Sequence, residues 1–197
     1  MRKIPEELDN PIDNIIVDRV EDTVGFFRDM GFTPNGITTL SLLTGLLSIY
    51  LLYQGKFIEA AICYAISYFF DCMDGYMARK YKMVSKFGDI YDHIKDNIVG
   101  GLLVIFLGQR YLYSDVNLRY AILIIPFLLY TTSVQMGCQE IYNDNIEHKS
   151  DTLSMLESYC PGDTQKDAAG VMRTTRYLGS GTLILTICVL IILCKYL

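Results

Sequence analysis

Soft metal donors are scarce in this sequence. There are two histidines, and the six cysteines (Cys63, Cys72, Cys138, Cys160, Cys188 and Cys194) include no close C-x-x-C pair, which argues against a zinc site and against a disulfide framework. Four of those cysteines lie in or beside apolar runs, where a small thiol packs as an apolar group. A basic patch is also missing: the formal net charge is −5, and the acids are spread along the chain, so no nucleic-acid partner is expected. No internal repeat or low-complexity segment interrupts the sequence. Residues 1–30 are polar and acidic, without a basic segment leading into an apolar core and a small-residue cleavage site, so no removable signal peptide is expected. What is abundant is hydrocarbon. Of 197 residues, 51% are hydrophobic and 20% charged, and the mean hydropathy is positive, a balance that suits an integral membrane protein.

Between Asn10 and Gly31 the apolar residues Ile12, Ile16, Val20, Val24 and Phe27 recur at helical spacing, interleaved with Asp13, Asp18, Asp22 and Asp29. Asn10 suits the cap, Pro11 the first turn and Gly31 the end. The spacing predicts an amphipathic helix at the membrane surface or against a bundle, its acidic face better suited to docking on protein than to anionic lipid. Residues 1–32 form this juxtamembrane unit, and residues 33–197 the membrane domain. Thr33-Pro34-Asn35 starts a second helix, whose apolar run over 36–53 is long enough to cross a hydrocarbon core of about 30 Å. Further runs begin at Phe57, near Gly88, at Leu118 and at Leu178, and a polar stretch over 137–177 contains no apolar segment long enough to span. The fold expected is an all-α membrane bundle of five transmembrane spans with an N-terminal interfacial helix.

Basic residues orient it. Arg2, Lys3, Arg19, Arg28, Arg79, Lys80, Lys82, Lys86, Lys149, Lys166, Arg173 and Arg176 fall on one side, against Lys56, Arg110, Arg119 and Lys195 on the other. The side with twelve is expected to face the cytoplasm.

Four aspartates lie beside hydrocarbon on that side. Asp71 and Asp74 are three apart near the end of the second run, and Asp92 and Asp96 four apart at the start of the third; on helices each interval places a pair on one face. Carboxylates at a membrane span are retained for function more often than for packing. If the two helices are antiparallel neighbours, the four acids meet, and Arg79 alone does not balance them. An all-oxygen set favours a hard cation, magnesium or manganese, and two such ions would balance four acids and clamp a phosphate between them. Gly75 and Ala78 leave room for a bulky ligand against backbone, as does the stripe Gly88, Asp92, Asp96 and Gly100. Thr38, Ser41, Gly45 and Ser48 make a similar stripe on the first span, a pattern that also serves helix packing in lipid. Arg79, Ser85 and Lys86 are placed to reach a diphosphate from the cytoplasmic side.

The order and spacing of Asp71, Asp74, Gly75, Ala78, Arg79, Gly88, Asp92 and Asp96 resemble the motif of the CDP-alcohol phosphotransferase family, with all eight positions matching. The resemblance covers about residues 33–100. It implies a six-span helical membrane enzyme, a homodimer, that transfers a substituted phosphate from a CDP-linked donor to a lipid or small alcohol and releases CMP. Carried over by position, it implies Asp71, Asp74, Asp92 and Asp96 as ligands of two Mg2+ or Mn2+ ions. Asp71, Asp74, Gly75, Ala78, Arg79, Ser85 and Gly88 would contact CDP, and Asp96 would be the general base. Asn35, Thr38, Lys86, His93, Arg173 and Arg176 are further candidates for substrate contact. His93 after Asp92 resembles the Asp-His pair of the choline and ethanolamine branch, which slightly favours a CDP-head-group donor with diacylglycerol as acceptor. The alternative is a CDP-diacylglycerol donor with a small polar alcohol such as inositol, serine or glycerol phosphate. A cation transporter would need acids through the membrane depth. A membrane prenyltransferase would need two separate aspartate-rich motifs in a longer chain.

Overall fold

The computed structural model of the protein describes residues 2–114, 117–143 and 152–197, with side chains from 120 onward in the second stretch. Lys149 and the Arg119 side chain, both used above to orient the chain, lie outside the described residues. Every regular element among the described residues is helical: α1 (Pro11–Asp29), α2 (Pro34–Tyr53), α3 (Phe57–Lys80), α4 (Lys86–Leu112), α5 (Ile124–Tyr142), α6 (Gln165–Thr175) and α7 (Ser180–Leu193), with short 3-10 turns between them.

Local chemistry starts these helices where polar caps stand. The Asn10 side chain accepts from Ile12 N–H, Thr33 from Gly36 N–H and Ser85 from Gly88 N–H. Pro11 and Pro34 fill first-turn positions where no N–H is needed. Gly31 (φ 88) and Gly55 (φ 73) take the left-handed conformation that lets the chain turn out of α1 and α2.

Small residues bring α2, α3 and α4 together. Thr38, Ser41, Gly45 and Ser48 are all buried. Ser41 donates to the Ser67 carbonyl at 2.9 Å, Ser67 to the Ser41 carbonyl at 2.7 Å, and Ser48 to the Ala60 carbonyl at 2.8 Å. A Cβ added to Gly45 would stand 2.9 Å from both γ-carbons of Val99 on α4, so glycine sets how closely these helices approach. Helix α7 closes the other side, packed on α3, and Tyr111 of α4 donates to the Leu190 carbonyl at 2.8 Å.

Helix α1 packs on α3 and α7, with Val20 and Val24 fully buried and Phe27 edge-to-face against Phe70. Asp13 departs from the acidic outer face read from the sequence. It is buried, and accepts from the Tyr68 hydroxyl at 2.6 Å and the Gly181 N–H at 3.1 Å, so one carboxylate ties α1 to α3 and to the start of α7. Burial pushes its carboxyl up to about 6 against those two hydrogen bonds.

A second core lies at the polar stretch. Ile4 and Leu8 pack with Val134, Cys138, Cys160, Ala168 and Met172; Lys3 pairs with the buried Glu140, and Gln135 donates to the Leu8 carbonyl at 2.9 Å. Cys138 and Cys160 form a disulfide, a single bond rather than the framework that the cysteine spacing argues against. The 3-10 segment Leu153–Tyr159 folds back onto α5 so closely that a Cβ on Gly137 would meet the Leu156 carbonyl oxygen at 2.0 Å, and this return brings two thiols 22 residues apart within reach. At about 2.0 Å per residue, seven 3-10 residues cannot cross a bilayer, so this segment supplies no sixth span.

Three helical stretches are long and apolar enough to cross a membrane: Pro34–Tyr53, Tyr120–Tyr142 and Gln165–Tyr196. Helices α3 and α4 fall outside that set among the described residues because they carry the charged motif.

Candidate active site

The carboxylates gather where the C-terminal part of α3 meets the beginning of α4 and the first turns of α2. Asp71, Asp74 and Asp92 can each turn one oxygen inward so that all three oxygens lie within 4.8 Å of one another. Exposure rises in order across the cluster. Asp74 is 6% exposed, and the side chains of Asp71, Asp92 and Asp96 are 23%, 37% and 57% exposed, so Asp74 forms the floor and Asp96 the rim. Thr38 donates to Asp74 Oδ2 at 2.6 Å, fixing the deepest carboxylate to α2.

A cation that the motif does not include sits among them. Lys95, 2% exposed, pairs with Asp71, and its Nζ lies 3.0 Å from Asp92 Oδ1 and 2.7 Å from Asp96 Oδ1. Ser41 Oγ stands 3.5 Å behind it. Asp92 Oδ1 is buried without an aligned hydrogen bond, and the Lys95 ammonium is its charged neighbour. Three convergent carboxylates without a sulfur or nitrogen donor fit one hard cation.

Beside the cluster, the Arg79 guanidinium lies over Gly75, where an added Cβ would come 3.1 Å from Nη1. Gly75 thus leaves the guanidinium its seat, and Ala78 next to it is half-buried. Gly88 gives similar room at the start of α4, where a Cβ would meet Asn35 Oδ1 at 2.9 Å and Ser85 Oγ at 3.1 Å.

Ser85 caps α4. Lys86 is exposed at the same helix start. His93 is exposed on α4, two residues before the buried Lys95. Arg173 is exposed on α6. Arg176 instead secures the N-terminal segment: its guanidinium donates to the Glu7 carbonyl, and its own carbonyl accepts from Asn10 Nδ2 at 2.6 Å. Burial raises the nearby Asp9 carboxyl, opposed by the Asn10 N–H and by the charges of Arg2, Arg176 and Arg79.

A family model described as CDP-alcohol phosphatidyltransferase matches residues 32–154. The chain belongs to this family. Its members are transferases. Among curated proteins, a CDP-diacylglycerol–inositol 3-phosphatidyltransferase of Candida albicans is 34% identical over 80 residues, covering 41% of this chain and 34% of that one. An archaetidylinositol phosphate synthase of Pyrococcus horikoshii is 39% identical over 69 residues, covering 35% of this chain and 37% of that one. The aligned stretches thus span about a third of each relative's length. No solved structure gives a significant match.

Within this family member, the four motif aspartates, Thr38, Gly75 and Arg79 come together at one end of the bundle. Sequence reasoning missed Lys95, although its position was available: three residues after Asp92 and next to Asp96, it falls on the same inward stripe of α4. The Ser41 hydroxyl, part of the small stripe on α2, stands behind that ammonium.

Proposed function

We propose that this protein is a membrane enzyme of phospholipid synthesis that transfers a phosphatidyl-type group from a CDP-linked lipid donor to an inositol-type alcohol, releasing CMP. The observation that carries this is the convergence of Asp71, Asp74 and Asp92 oxygens within 4.8 Å in a chain of this family. The donor follows the two relatives, whose names specify inositol lipids. It replaces the CDP-choline or CDP-ethanolamine preference drawn from His93, because both relatives favour the alternative.

In this reading Asp71, Asp74 and Asp92 hold Mg2+ or Mn2+, and a divalent cation bound there neutralises charge on the diphosphate. Arg79 donates charge-assisted hydrogen bonds to the same diphosphate, with Gly75 and Ala78 as the wall beside the cytidine and Ser85 and Gly88 at its mouth. Asp96, at the exposed rim, accepts the proton of the acceptor hydroxyl. The hydroxyl oxygen bonds to the β-phosphorus, the bond from that phosphorus to the bridging oxygen breaks, and CMP departs with the electron pair. Thr38 keeps Asp74 in place, a positioning role.

The membrane arrangement belongs to the same proposal. Helices α3 and α4 cross the bilayer with α2, α5 and α7. Their 24 and 27 residues are long enough, at about 1.5 Å each, and their outward side chains include Ile58, Ile62, Ile66, Ile90, Ile94, Ile98, Leu102 and Ile105. Asp74 and Lys95 are buried inside, and this hydrocarbon meets lipid. The cluster then faces the cytoplasm, α1 lies along the interface, and the working unit is a homodimer.

The test is CMP release by purified protein in nanodiscs with Mg2+, offering CDP-diacylglycerol, CDP-choline or CDP-ethanolamine against inositol, inositol phosphate, serine, glycerol phosphate and diacylglycerol. CMP formed from CDP-diacylglycerol with inositol or its phosphate, and lost in Asp96→Asn protein that still folds, is the result expected. CMP formed only from CDP-choline or CDP-ethanolamine overturns the donor, and no CMP from any pair overturns the activity.

A further inference from the structure

Lys95 separates this cluster from the two-ion arrangement expected of four free carboxylates. Its side chain is enclosed between α2, α3 and α4. Its ammonium has three hydrogens and three carboxylate neighbours, Asp71, Asp92 and Asp96. The acids divide accordingly. Asp71, Asp74 and Asp92 converge on a place suited to an ion, while Asp96 is not one of that group and turns Oδ1 to Lys95.

We propose that Lys95 stands in for a second divalent ion, so that one Mg2+ or Mn2+ binds at Asp71, Asp74 and Asp92 and the lysine ammonium supplies the positive charge between Asp71, Asp92 and Asp96. The inference rests on the metal-dependent transfer proposed above. A second ion would need the oxygens of Asp92 and Asp96 that Nζ already contacts, and its double charge would repel the ammonium at close range. Withdrawing Lys95 is no easier, because its surroundings beyond these acids are packed side chains in which an unpaired ammonium is poorly solvated. The tethered charge thus holds one Asp96 oxygen and leaves the other to the acceptor hydroxyl. Lys95 is a positioning residue for Asp96.

Counting Mn2+ tests this directly. Protein in nanodiscs is saturated with Mn2+ in the presence of CDP, and bound metal is measured by elemental analysis and electron paramagnetic resonance. Wild type is expected to hold one Mn2+ per chain with the spectrum of an isolated ion, Lys95→Arg the same, and Lys95→Met two with the broadened spectrum of a coupled pair. Two coupled ions in wild type overturn the inference and leave the transfer reading standing. A Lys95→Met protein that folds and still holds one ion also overturns it. No bound Mn2+ in wild type with CDP present overturns the metal-dependent reading itself. If Lys95→Met does not fold, the wild-type count decides alone.

Discussion

The α2–α3–α4 half of the molecule and the half formed by α5, α6, α7 and the N-terminal segment are held together differently. In the first, contacts recur along helices at regular intervals: Ser41 with Ser67, Gly45 with Val99, Ser48 with Ala60, then Thr38 with Asp74 where the acids begin. In the second, pieces remote in sequence close on one another, Ile4 and Leu8 on Met172 and Val134, Lys3 on Glu140, Cys138 on Cys160. The proposed chemistry lies in the half whose geometry follows from helical period. The other half closes the bundle with contacts that no local pattern announces. Changes in the first half should therefore alter turnover, and changes in the second should alter stability alone.

The largest effect is expected at Asp74. Asp74→Asn removes the deepest carboxylate, and CMP release should fall about 10^3-fold, as expected when several kcal/mol of metal-centred stabilisation is lost, while circular dichroism stays helical. Next comes Cys138→Ser, which opens the disulfide and should lower stability by about 3 kcal/mol in thermal unfolding, with turnover per folded molecule unchanged. A matching fall in turnover would erase the distinction between the halves. The same bond bears on orientation, because the basic residues assign its end to the cytoplasm, where most cells keep thiols reduced. Thiol labelling in intact cells that finds Cys138 and Cys160 protected would reverse that assignment.

Gly45→Ala comes third. The new methyl must displace Val99 and should cost about 1–3 kcal/mol, and because it parts α2 from α4 it should lower both melting temperature and CMP release. The smallest effect is at Asp13. With its carboxyl raised to about 6 by burial, the folded state favours the protonated form. The stability this confers is present at low pH and fades as pH rises through about 6. Unfolding measured at pH 5 and pH 7 should differ by roughly 1 kcal/mol from this group, and Asp13→Asn should remove that difference.

Much of the first half was legible. The caps at Asn10, Thr33 and Ser85 begin their helices as their residue types require, and the spacing of Asp71, Asp74 and Asp92 is enough to bring them to one place once α3 and α4 run antiparallel. Lys95 escapes the positive-inside pattern, being the one lysine or arginine of 17 left over when those near helix ends are assigned to either side. Asp13 was placed on a polar face because a periodic pattern does not reveal a tyrosine hydroxyl and a helix N-terminus waiting for a carboxylate. Ile4 and Leu8 stand in a polar stretch, and two cysteines far apart in a chain of six carry no pairing signal. These contacts are tertiary, and only the fold discloses them.

The central claim is that Asp71, Asp74 and Asp92 share a divalent ion that a CDP-linked donor needs. A structure determined with Mn2+ and CDP tests it most directly, by locating the metal from its anomalous scattering. The account requires an ion about 2.1 Å from an oxygen of each of the three carboxylates, with the CDP diphosphate against it and Arg79. CDP bound with these carboxylates carrying no ion, or an ion held elsewhere in the molecule, would contradict it.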